Sequence, residues 1–283
     1  QLPAPVIDPS RHIFNYQEDG IQILTDTRLW QSDTWLDWTH YLVPWTPDQE
    51  LFTMGSKHEF HLLHIGSFAR NPKDSLPPAS APSSQLLVSL PAHFLASHRG
   101  GEVKTIDTNT VTTFNESVGL HIEYRFRHSG RDGNMVCLDL PLFFYHLEDT
   151  ELDHGGKAFY PSLSYRWTSS SHNTDFSIDN RLGFWHGDHY FSAYGSPLFW
   201  SDNEYSRLHM PQSASTINAS SLTTGADTRD IITYSLSVAH SFKTVSLGLG
   251  IDAFHDLNTK NNDFIFSFFL LHKMGVSGPR KQP

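Results

Sequence analysis

The chain has 283 residues, of which 38 % are hydrophobic, 18 % charged and 13 % aromatic, with a formal charge of −10. That acidic balance, with no cluster of five or six Lys and Arg, argues against nucleic acid as a partner, because sequence-independent binding depends on neutralising phosphates. No window approaches the roughly 18 continuous apolar residues of a spanning helix, and the longest apolar run, Phe264 to Leu271, is broken by Ser267, so a helical membrane protein is excluded.

Cys137 is the only cysteine, which rules out an intrachain disulfide and, on this reading, any Cys-based zinc site. The start at Gln1 reads as that of a chain whose secretion signal has been removed. We divide the chain into an N-terminal periplasmic segment (1–19), a barrel domain (20–273) and a C-terminal periplasmic tail (274–283).

In chain order, Gly20 to Trp30, Lys57 to Gly66 and Ser84 to Leu95 read as strands, and Gly101 to Phe114 as a further strand or a short hairpin. Trp30 to Thr53, dense in Trp, fits either an interfacial helix or a barrel strand. Pro72 to Ser84 is a Pro/Ser-rich loop.

From Val118 onward the period is two, the mark of a strand whose faces meet different environments. Val118, Leu120, Ile122, Tyr124 and Phe126 share one face, while Gly119, His121, Glu123, Arg125 and Arg127 share the other. The split recurs at 136–145, 159–167, 176–184, 232–239 and 245–252. It sets Leu247, Leu249 and Ile251 apart from Asp252, and places Asp139, Arg166, Asp179 and Arg181 on the charged side. The last strand, with Phe264, Phe266 and Phe268 on one face, is apolar on both. Segments of about ten to twelve residues exceed the usual five or six of globular strands and match the roughly 9 to 11 needed to cross a bilayer.

His186 to His189 and Phe242 to Thr244 read as tight turns facing the periplasm, and the long Ser/Thr-rich stretch from Phe199 to Arg229 as an outside loop. The expected fold is all-β: an antiparallel up-and-down transmembrane β-barrel of about twelve strands, with ten as the fallback. On this reading Val118, Leu120, Ile122, Tyr124, Phe126, Leu247, Leu249, Ile251, Phe264, Phe266 and Phe268 face lipid. Glu123, Arg125, Arg127, Asp139, Arg166, Asp179, Arg181 and Asp252 face the lumen.

The pattern over residues 118 to 273 resembles the superfamily of Gram-negative outer-membrane β-barrels, which implies residence in the outer membrane and contact with its lipid and lipopolysaccharide. Asn262 to Lys273 is similar to the terminal strand of such barrels, but Met274 to Pro283 follows it. His128 and Ser129 are loosely similar to the His and Ser of the outer-membrane phospholipase A and lipid A deacylase families, where His serves as base for the Ser nucleophile. Those families separate the two by one residue. Here they are adjacent, so they point to opposite faces unless the chain turns at His128, and polar loop residues are the simpler reading.

The 18 His read as loop and interface residues, and neither metal nor cofactor is expected. The charged interior implies a closed or narrow barrel acting as a scaffold or component of an envelope complex, with enzymatic activity left open. The alternatives are a porin-like channel for small polar solutes, an outer-leaflet lipid hydrolase, and a secreted carbohydrate-binding β-sandwich whose Trp and Tyr stack on sugars.

Overall fold

The computed structural model describes residues 6, 20–40, 50–66, 83–100, 111–127, 133–149, 153–170, 174–190, 199, 228–242 and 245–272. They form twelve strands in one antiparallel sheet: β1 (Gly20–Asp26), β2 (Trp30–His40), β3 (Glu50–Ile65), β4 (Ser83–Gly100), β5 (Val111–Arg127), β6 (Gly133–Asp149), β7 (Asp153–Phe159), β8 (Ser162–Ser170), β9 (Thr174–Asp188), β10 (Thr228–Phe242), β11 (Val245–Asp256) and β12 (Asn262–His272). Each strand pairs with the next in sequence, except that β7 and β8 occupy one place between β6 and β9. This is an up-and-down β-barrel with no helix long and apolar enough to cross a membrane among the described residues.

The break between β7 and β8 falls at Tyr160-Pro161, where the proline has no N–H for the ladder. Register carries through it, with Phe159 opposite Leu142 and Ser162 opposite Asp139. The Tyr160 amide donates to the Pro141 carbonyl and the Phe184 amide to the Pro161 carbonyl, so the interrupted strand stays in the sheet. Counting β7 and β8 once leaves eleven places, 12 − 1. β1 and β12 therefore run in the same direction, and no ladder joins them among the described residues.

Several sequence expectations change. Of the Trp-rich stretch from Trp30 to Thr53, Trp30–His40 and the residues from Glu50 onward are strand and not helix, and 41–49 lie outside the described residues. Val111–Phe114 opens β5, without a turn before Val118. Strands β3 to β6 have 16, 18, 17 and 17 residues and extend beyond the lengths read from periodicity. His186 to His189 is not a tight turn: β9 continues to Asp188 because His186, Gly187 and Asp188 pair with Asp230, Arg229 and Thr228. It also lies at the end from which the chain leaves for residues 191–227, opposite the connection at 243–244. We call the first the upper end and the second the lower.

One sheet face is buried and polar or aromatic, the other apolar and exposed. On β5, Thr113, Asn115, Ser117 and Glu123 are buried while Val118 and Tyr124 are exposed. In the upper interior, aromatic rings on β6 and β9 lie beside the buried polar pair Ser97–Thr113 and the Arg229–Asp256 ion pair, and further down come the groups around Asp139, Glu123 and Asp179. Of the N-terminal segment only Val6 is described, and it is fully buried; the tail at 274–283 lies outside the described residues.

Candidate functional site

A cluster of rings packs in the upper interior. Trp185 on β9 packs against Phe143 at 5.5 Å, Tyr190 at 5.0 Å and Phe199 at 5.0 Å between ring centroids. Phe199 also meets Tyr160 at 5.6 Å and Phe254 on β11 at 6.1 Å, so its ring joins separate parts of the wall. The inward-facing alternation Gly183, Trp185, Gly187 makes room: a Cβ on Gly183 would lie 2.6 Å from the Tyr160 ring, and one on Gly187 2.6 Å from Trp185 Nε1. Each edge-to-face pair adds about 0.5–1.5 kcal/mol beyond area burial.

Below the rings lies a polar band. His121 Nδ1 is 2.6 Å from Asp139 Oδ1, Arg181 donates to Asp139 Oδ2 at 3.1 Å, and the Ser162 hydroxyl reaches the same oxygen at 3.5 Å. The Tyr160 hydroxyl pairs with Thr233 at 2.8 Å, and Ser89 donates to Glu59 at 2.9 Å. One step lower, Arg125 pairs with Glu123 Oε1, and Arg166 Nε donates to Asp179 at 2.7 Å. Ser235 donates to Asp252. His121, Glu123 and Cys137 present donor atoms within 4.8 Å of one another.

At the boundary between rings and polar band, the His93 ring Nδ1 lies 2.9 Å from the Ser117 hydroxyl. Register builds this pair: His93 on β4 stands opposite Ser117 on β5, Ser117 opposite Phe143 on β6, and His93 opposite Lys57 on β3. Ser117 and Phe143 are buried. An imidazole so placed can take the hydroxyl proton and raise the nucleophilicity of Ser117.

Seven of the eight residues expected to face a lumen, Glu123, Arg125, Asp139, Arg166, Asp179, Arg181 and Asp252, share the sheet face that carries the ion pairs; Glu123 is buried there, and Arg125, Arg166 and Arg181 are exposed. The side chain of Arg127, together with His128 and Ser129, lies outside the described residues. Val118, Tyr124, Leu247, Leu249, Ile251, Phe264, Phe266 and Phe268 are exposed on the other face, and Leu120, Ile122 and Phe126 are half-buried there. His93 and Ser117 were missed because 24 residues separate them. The signal available was that both fall on the polar side of consecutive strands.

A family model described as lipid A 3′-O-deacylase-type matches residues 1–276. No curated protein matches the chain.

Proposed function

The chain belongs to the lipid A 3′-O-deacylase-type family, and from that premise we propose that it is a Gram-negative outer-membrane hydrolase that removes an ester-linked acyl chain from lipid A. The observation that carries the site assignment is the 2.9 Å contact between His93 Nδ1 and the Ser117 hydroxyl on the buried interior face. Ser117 Oγ attacks the acyl carbonyl as His93 accepts its proton. Collapse of the tetrahedral intermediate expels the sugar oxygen, which takes that proton from His93 and leaves an acyl-serine. Water, deprotonated by His93, then releases the fatty acid and restores the Ser117 hydroxyl.

This reading takes up the outer-leaflet lipid hydrolase alternative in place of the scaffold and porin-like expectations, and the family description supports it over both. The ring-filled upper end favours a closed barrel over an open conduit. Closure suits a scaffold equally well, which is the second reading.

The test is incubation of the purified, detergent-folded protein with lipid A, with mass spectrometry of the lipid and of free fatty acid. Loss of one acyl mass, falling by about 10³-fold or more in Ser117→Ala and His93→Ala, is expected. Acyl release that persists in both variants would reject this pair as the site. No release by the wild-type protein would reject hydrolysis and leave the scaffold, to be sought by pull-down from native membranes.

A further inference from the structure

We propose that His121, Glu123 and Cys137 form a binding site for a borderline-soft divalent cation of the Zn²⁺ class. The three come from two neighbouring strands: His121 and Glu123 share the interior face of β5, and Cys137 stands opposite Glu123 on β6. Glu123 Oε2 is 3.8 Å from His121 Nε2 and 4.0 Å from Cys137 Sγ, and the whole set lies within 4.8 Å. Zinc bound to N, O and S at about 2.0–2.3 Å in a tetrahedron separates its donors by roughly 3.3–3.8 Å. The set therefore closes on an ion by side-chain shifts of about 1 Å or less.

Two neighbours prepare the donors. Asp139 engages His121 Nδ1 at 2.6 Å and is itself bonded by Arg181, which leaves Nε2 directed at the other ligands. A carboxylate behind a histidine is the arrangement that fixes tautomer and ring orientation in metal sites. Arg125 pairs with Glu123 Oε1, so Oε2 is the oxygen left to the ion. Glu123 and Cys137 are buried, whereas part of the His121 side chain remains accessible, so the fourth position opens toward the interior. Binding forms a sulfur–metal bond and releases the Cys137 thiol proton to solvent. The single cysteine thus does not exclude a sulfur-ligated metal, because a mixed site needs only one.

Cobalt and zinc salts alone, added to the metal-free folded protein in detergent, test this. Because Cys137 is the only thiol, a thiolate-to-cobalt charge-transfer band in the wild-type protein identifies the ligand without any variant. We expect that band at one equivalent, its displacement by Zn²⁺, its loss in Cys137→Ser, and affinity about 10–100-fold weaker in Asp139→Asn. Absence of the band, or zinc binding unchanged in Cys137→Ser, would overturn the site. Neither result depends on deacylation.

Discussion

Arg229 and Asp256 meet where β10 begins and β11 ends, with guanidinium Nε and Nη2 both donating to Asp256 Oδ2, at 3.0 and 2.6 Å. Both side chains are buried. The other carboxylate oxygen accepts the amides of Asn258 and Thr259 at 2.9 and 3.0 Å, so one residue ties two strands to the β11–β12 turn. Removing one partner of an enclosed pair strands the other charge. Asp256→Ala is expected to cost about 3–5 kcal/mol in guanidinium unfolding of the folded barrel, and replacement of both residues by apolar ones clearly less. Equal costs would show that the pair is not a coupled unit.

Gly183 lies under the Tyr160 ring, and a Cβ there would also come within 2.7 Å of the Thr233 hydroxyl. Gly183→Leu should cost about 1–3 kcal/mol and flatten the near-ultraviolet circular dichroism of the ring cluster. At Gly133 a Cβ would meet, among the described residues, the Thr168 hydroxyl at 3.3 Å, and Gly133→Ala should stay within about 0.5 kcal/mol of wild type.

Phe266 is 75 % exposed in the middle of β12. If that surface meets hydrocarbon, Phe266→Arg should destabilise the barrel by about 2–4 kcal/mol in bilayers. A change near zero would place β12 away from lipid.

If the rings around Phe199 and Trp185 seal the upper interior, planar bilayers containing the wild-type protein should show no steady conductance. Phe199→Ala combined with Trp185→Ala removes two touching rings and should give measurable ion flow. Equal conductance in both proteins would mean that the cluster does not seal the barrel.

The barrel was legible along the chain because each strand separates two environments, and that separation imposes a period of two on its own residues whatever its neighbours are. Val118 to Phe126 against Gly119 to Arg127 shows this without any partner strand. Local composition misled at His186 to His189, where Gly and Asp suggest a turn but pairing to Thr228–Asp230 continues the strand. No periodicity could join His93 to Ser117, 24 residues apart, or Tyr160 to Thr233, 73 apart. Those meetings depend on register, which is set by how whole strands align across connections. One strand's alternation thus decides which face a residue takes, while only the assembled sheet decides which residues meet there, and with them whether the interior holds chemistry.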